Sequence, residues 1–219
     1  MSPRAAESAT PRWQRRPDDR PAALMASALK LVKQQGYRRA RLEDIAADAG
    51  VSKATVYHYF TNKDDLLTRA VATRMAGRHA EAEALLADAP PAAEARLRIY
   101  LRYFWELSLS TNAGLWQRLL VSEIVTEAPQ VFQVWAEGLV QRWHGVEQLI
   151  REGQASGEFR PDVDAEVAAR MIVSGLSHQA LFHVHFDVNR IAPCDSDRLL
   201  SSALEQFFQS LAVRRPRSG

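Results

Sequence analysis

The chain has 219 residues, of which 47% are hydrophobic and 25% charged. This composition provides a core for one large domain or two small ones, and it excludes a generally disordered or collagen-like chain. The formal net charge is only +2, so the total alone does not point to a nucleic-acid partner. The charge is unevenly divided, because residues 1–62 carry 11 Lys and Arg against 6 Asp and Glu, whereas residues 63–219 carry 17 against 20.

The single cysteine, Cys194, excludes an intrachain disulfide framework and a zinc site built on several thiolates. The N-terminal sequence lacks the apolar core of a signal peptide, and no uncharged stretch approaches the roughly 18 residues that indicate a membrane span. These features predict a cytoplasmic protein.

Residues 1–17 contain four Arg and three Pro without apolar periodicity, which predicts a flexible basic arm. Such an arm follows the minor groove of DNA or contacts phosphates in some proteins, and is a solvated tail in others. Both interpretations remain open for the arginines of this segment, which are Arg4, Arg12, Arg15 and Arg16.

Residues 18–65 are predicted to form a three-helix unit. The first helix begins around Asp18 or Pro21 and ends at Gly36, because apolar residues recur every three or four positions before that glycine. The second helix is predicted over 41–49 and the third over 53–59, joined by a turn in which Gly50 supplies a positive φ and Ser52 caps the third helix. A fourth helix, predicted over 63–87 and capped by Thr61 and Asn62, connects this unit to the rest.

Residues 66–213 are predicted to form a larger helical domain, and residues 214–219 a frayed tail. Beyond Pro91 the helical period continues, and no alternating strand pattern is present in the sequence. The chain is therefore predicted to be all-α, with about nine helices. The five helices of the C-terminal part are predicted near 92–110, 114–125, 128–156, 163–187 and 196–213.

The stretch 41–63 has the spacing of a helix-turn-helix, in which the first helix braces the second and the second reads the major groove. Lys53 is a donor for guanine or phosphate, Ala54 is small enough for close approach, and Thr55 offers a hydroxyl and a methyl group. Tyr57 and His58 follow on the same predicted exposed side. The alternative is an ordinary pair of packed helices with no role in DNA binding.

Four segments between residues 44 and 67 resemble the N-terminal domain of TetR-family transcriptional regulators, and the resemblance covers about residues 18–70. They are Asp44-Ile45-Ala46, Ala49-Gly50-Val51-Ser52-Lys53, Thr55-Val56-Tyr57-His58-Tyr59-Phe60 and Lys63-Asp64-Asp65-Leu66-Leu67. The resemblance implies a homodimer that binds a palindromic operator, usually as a repressor, and is released by a small ligand in the C-terminal domain.

The resemblance also implies which residues face DNA, with Lys63 meeting a phosphate at a helix N-terminus. Members of the family commonly have Thr or Ser where this chain has Ala40 and Arg41, so the usual cap of the second helix is missing here. We expect Arg41 to supply a longer, charged phosphate contact instead. The predicted DNA-binding residues are Arg41, Ser52, Lys53, Ala54, Thr55, Tyr57, His58 and Lys63.

Dense aromatic residues in the C-terminal part predict a pocket for an apolar or aromatic ligand, although packing in the core is the alternative for each of them. The predicted pocket residues are Trp105, Trp116, Phe132, Trp135, Trp143, His178 and Phe182. Small and apolar residues on the last two helices complete the core or, as the resemblance implies, pair with a second copy. The predicted dimer residues are Gly175, Leu200, Leu204, Phe207 and Phe208.

No metal site, cofactor or catalytic residue is predicted. His178, His183 and His185 lie close together in the sequence, but only His183 with Asp187 has the four-residue spacing of helical metal ligands, and two ligands do not make a site. Their more natural roles are in a ligand pocket or a dimer interface. Two alternatives to a ligand-released repressor remain, a DNA-binding dimer or activator without an effector and an all-α enzyme.

Overall fold

The computed structural model describes residues 19–110, 116, 119–182, 186 and 188–213. Over these residues the protein is all-α, as predicted, and the only extended pairing is an isolated antiparallel bridge between Phe159 and Ala212. The predicted basic arm, 1–17, and the predicted tail, 214–219, lie outside the described residues.

The N-terminal unit contains three helices, α1 (Arg20–Gln35), α2 (Leu42–Ala49) and α3 (Lys53–Tyr59). Helix α1 ends at Gly36, as predicted, and this glycine has φ 87°. Gly50 ends α2 in the left-handed region with φ 70°, which is the predicted positive φ. The Ser52 hydroxyl accepts a hydrogen bond from the Thr55 amide at 3.1 Å, which caps α3. These local signals confirm the predicted helix-turn-helix geometry.

Helix α4 (Lys63–Ala87) has 25 residues and is about 38 Å long at 1.5 Å per residue. The Asn62 side chain accepts a hydrogen bond from the Asp65 amide at 2.8 Å, so the predicted cap is present. Helix α4 packs against α1 on one side and against later helices on the other, which makes it a continuous connection between the two parts of the chain.

The C-terminal part begins with α5 (Ala93–Leu109). A π-helical turn, Leu120–Ile124, runs directly into a short α-helical segment, Val125–Glu127, and we name the two together α6. Then come α7 (Pro129–Ser156), α8 (Ala165–Ala180), a 3-10 turn (Val188–Arg190) and α9 (Ser196–Leu211). The helix predicted over 163–187 is shorter than expected, and residues 183–185 and 187 are outside the described part.

Two hydrophobic clusters stabilise the fold. One joins α5, α7, α8 and α9, and includes Trp105, Val146 and Leu204. The other is built on the three N-terminal helices but also contains Trp116 and the buried side of α6. The core of the N-terminal unit is therefore closed by residues from the C-terminal part. None of the described helices combines the length and the apolar character needed to cross a membrane.

Candidate DNA-binding surface and ligand cavity

The outer face of α3 is polar and accessible. Val56 is fully buried and fixes the inner face of this short helix. Lys53, Ala54 and His58 are exposed, and the Tyr57 side chain is 50% exposed. A half-exposed tyrosine on a helix that buries a valine at the adjacent position is not used for packing, so this face is available for a macromolecular contact.

Lys53 is held close to the surface of the helix-turn-helix by an acidic partner. Its Nζ donates to Glu43 of α2 and lies 5.8 Å from the centroid of the Tyr57 ring. This hydrogen bond raises the pKa of Lys53, which keeps the amine charged. Both side chains are about half exposed, and exposed ion pairs of this kind are readily exchanged for a stronger anion.

Lys63, the predicted phosphate contact at the start of α4, is partly buried and already has a partner within the protein. Its Nζ donates to the Tyr37 carbonyl at 2.8 Å and lies 3.8 Å from the centroid of the Tyr37 ring. Burial lowers the pKa of this lysine. Lys63 thus stabilises the turn after α1, and only its remaining N–H donors are available to DNA. Arg41, in contrast, is exposed at the N-cap of α2, where its side chain makes no capping hydrogen bond.

The turn after α1 is attached to α6, and we name this attachment the α1–α6 contact. The Tyr37 amide donates to the Glu123 carboxylate at 2.8 Å, and Arg38 forms an ion pair with Glu127. At Gly36, a Cβ atom would lie only 2.9 Å from Glu123 Oε1. The contact therefore joins the N-terminal unit to the segment that follows Trp116, and it was not predicted from the sequence.

A small cavity of about 60 Å³ lies between α4, α5, α7 and α8. Its apolar wall contains Trp116 and Trp135, two of the residues predicted for a ligand pocket. Its other wall carries two arginines, Arg78 of α4 and Arg142 of α7. The complete lining consists of Met75, Arg78, Leu107, Ser108, Trp116, Trp135, Leu139, Arg142 and Ser177.

The remaining predicted pocket residues lie elsewhere. Trp105 borders an adjoining void of about 10 Å³, which shares Arg142 with the cavity. Phe132 packs beside Trp135, with ring centroids 5.6 Å apart, and does not reach the cavity. Trp143 is covered by the Arg170 guanidinium, 4.7 Å from its ring.

His178 and Phe182 also require a correction, because neither borders this cavity: His178 is exposed on the outer side of α8, and Phe182 is exposed two positions after α8 ends. Their rings are in contact, with centroids 4.4 Å apart. His178 borders an open groove of about 660 Å³ between α8 and α9, together with Gly175. Among the described residues no three His, Cys, Asp or Glu side chains are grouped as metal ligands, and His183 and His185 lie outside them.

The predicted dimer residues divide into two groups. Leu200, Leu204 and Phe208 are at most 5% exposed within one protomer, which corrects their assignment to an interface. They form the inner face of α9, so their side chains have no surface left for a partner. Gly175 is exposed and Phe207 is partly exposed, so these two residues remain accessible.

An accessible polar face on the third of three N-terminal helices, joined to a helical domain with an internal cavity, defines a helix-turn-helix DNA-binding regulator. The family described as "Bacterial regulatory proteins, tetR family" matches residues 24–70. Transcriptional regulator AcuR of Cereibacter sphaeroides is 30% identical over 154 residues, covering 67% of this chain and 68% of its own length. The chain belongs to the TetR family of transcriptional regulators.

Two further relatives extend the similarity over most of the chain. The HTH-type transcriptional regulator EthR of Mycolicibacterium smegmatis is 29% identical over 180 residues, which cover 77% of this chain and 79% of EthR. The structure of FadR from Bacillus subtilis in complex with stearoyl-CoA superimposes with a TM-score of 0.72 at 22% identity, covering 87% of this chain and 98% of FadR. At 22% identity, this structural match shows a shared fold.

Proposed function

We propose that the protein is a dimeric repressor that binds a palindromic operator through the outer face of α3 and leaves it when a small ligand occupies the cavity. The observation that carries the DNA-binding part is the accessible polar face formed by Lys53, Tyr57 and His58. Ser52, Ala54 and Thr55 complete the surface that enters the groove, and Arg41 and Lys63 contribute phosphate contacts at its edges.

The outer side of α8 supports pairing with a second copy. Val167 and Met171 of α8 are 54% and 70% exposed, and Met171 borders the α8–α9 groove together with Gly175. Contiguous exposed apolar side chains of this kind mark interaction surfaces. A two-fold dimer places two α3 helices in successive major grooves, which is why the operator is proposed to be palindromic. A Met171→Glu variant is expected to dissociate the dimer in light-scattering measurements.

The α1–α6 contact supports a route from the cavity to DNA. A cavity of about 60 Å³ is several times smaller than the 300–1,000 Å³ typical of ligand sites, so an apolar or aromatic ligand must displace its walls. Trp116 precedes α6, and Glu123 and Glu127 of α6 bind the turn after α1. Displacement of this wall moves α1 and, with α4, changes the spacing of the two α3 helices. The structure of FadR from Bacillus subtilis in complex with stearoyl-CoA is an example of this fold with a bound ligand.

Selection of DNA from a random pool by the purified protein tests this function. The expected product is an inverted repeat whose half-site centres are about one helical turn apart or a multiple of it. The Lys53→Ala/Tyr57→Ala variant is expected to lose this selectivity. Arg151→Ala removes one exposed positive charge far from α3 and serves as the matched control. Selection of the same repeat by the double variant would contradict the proposed surface.

A further inference from the structure

The cavity between α4, α5, α7 and α8 contains more positive charge than the protein itself balances. Arg78 and Arg142 both line it, and no carboxylate of the described residues lies within ion-pair distance of either guanidinium. Glu81 acts on Arg78 from a distance, but it is exposed and accepts a hydrogen bond from the Tyr103 hydroxyl at 2.6 Å.

Buried hydrogen-bond donors without partners also surround the cavity. Among buried side-chain atoms of the described residues, Arg142 Nε, Trp116 Nε1 and Trp105 Nε1 have no hydrogen-bond partner. All three are N–H donors, and their residues border the cavity or the adjoining void. Because a buried donor without a partner costs free energy, such a cluster is expected where a ligand supplies the acceptors.

The two arginines also lie in surroundings that disfavour an unpaired charge. Burial lowers the pKa of Arg78 and of Arg142 to about 10. The positive charges of neighbouring arginines, Arg142 among them, lower the pKa of Arg78 further. Arg142 lies 4.1 Å from the centroid of the Phe104 ring, which compensates one face of the guanidinium only. Both groups remain protonated at neutral pH, so both positive charges are present when a ligand enters the cavity.

We infer that the ligand carries an anionic head, a carboxylate or a phosphate, that binds between Arg78 and Arg142. Its apolar body lies against Trp116 and Trp135. Guanidinium groups match the planar, two-oxygen geometry of these anions, and the tryptophan N–H groups supply further donors. This inference rests on the proposed function, because it specifies the chemical class of the effector that enters the same cavity.

Thermal unfolding with matched probes tests the charge requirement. Decanoate and decyl phosphate share an apolar chain with the uncharged decanamide, and phenylbutyrate and phenylbutyramide repeat the comparison with an aromatic body. At about 100 times the Kd a bound anion is expected to raise the Tm by about 5–10 °C. The amides are expected to leave the Tm unchanged, and the larger shift of decanoate or decyl phosphate identifies the head.

Three variants separate a ligand-binding role of the arginines from a structural one. Arg142→Met and Arg78→Met are expected to keep or raise the Tm of the ligand-free protein, since each removes an unpaired charge from the interior. Both are expected to abolish the shift caused by the anions. Arg102→Met, an exposed substitution on α5, is the control and is expected to retain the full shift.

The inference is overturned if the amides stabilise the protein as much as the anions, if neither anion raises the Tm, or if Arg142→Met lowers the ligand-free Tm by more than about 5 °C. In each of these cases the selection of an inverted repeat from random DNA still supports the proposed function. A protein that selects no DNA sequence refutes the proposed function itself, whatever the probes do.

Discussion

Replacement of Glu123 is expected to destabilise the protein through the α1–α6 contact. The Glu123 carboxylate accepts a hydrogen bond from the Tyr37 amide at 2.8 Å in a part-buried position. Hydrogen bonds to charged groups contribute about 1.5–3 kcal/mol, and the partial exposure of this pair favours the lower end. For a chain of this size, a loss of about 1.5 kcal/mol lowers the Tm by about 3–6 °C.

A graded series tests this magnitude by circular dichroism at one protein concentration. Glu123→Ala removes the acceptor and is expected to show the full loss. Glu123→Gln keeps an uncharged acceptor and is expected to lose about half as much. Glu127→Gln on the same helix breaks only an exposed ion pair with Arg38, so its Tm is expected to change by less than about 1 °C.

Gly36 provides an independent check of the same geometry. Its φ of 87° and ψ of 162° lie in a region that is essentially restricted to glycine, so Gly36→Ala is expected to lose about 1–3 kcal/mol. Its Cβ would also lie 2.9 Å from Glu123 Oε1. The double variant with Glu123→Ala is therefore expected to be more stable than the sum of the single losses. Equal Tm values for Glu123→Ala and Glu127→Gln, or simple additivity in the double variant, would refute this reasoning.

Three further predictions follow from other contacts. Glu43→Gln releases Lys53 and removes a negative charge beside the DNA-binding surface, so operator affinity by fluorescence anisotropy is expected to rise roughly two- to fivefold, whereas unchanged affinity would contradict this placement. Gly153→Ala places a Cβ 2.1 Å from the Phe159 ring, so the variant is expected to lose about 1–3 kcal/mol of stability. A Tm within about 1 °C of the original would contradict this and show that the ring moves freely. Burial lowers the pKa of His79, so the unfolded chain binds a proton more readily, and stability is expected to fall as the pH drops through about 6.5; a His79→Gln variant with the same decline between pH 7.5 and 5.5 would exclude His79 as the cause.

The sequence was informative wherever a local signal decides the structure. Gly50 and Ser52 each act within a few residues, and the structure has the predicted turn and cap at those positions. The same applies to Asn62 at the start of α4. The family resemblance then added the role of α3, which periodicity alone does not reveal.

Contacts between distant segments were not predictable in this way. Tyr37 and Glu123 are 86 positions apart, and nothing in the neighbourhood of either residue indicates the other. The inner face of α9 was predicted correctly as apolar, but periodicity does not say whether Leu204 faces its own core or a partner. A signal for Arg142 did exist, because it lies seven positions after Trp135 on a helix face that otherwise packs inward.

The shared core of the N-terminal unit limits how this protein can be re-engineered. Trp116 and the buried side of α6 complete the hydrophobic cluster around α1, α2 and α3. A fragment that ends near residue 65 therefore leaves apolar side chains of these three helices exposed to water. A chimera that acquires a new DNA specificity is therefore expected to fold best when α6 is exchanged together with α1–α3, or when substitutions are confined to the outer face of α3. The functional boundary of the DNA-reading part is thus discontinuous in the sequence.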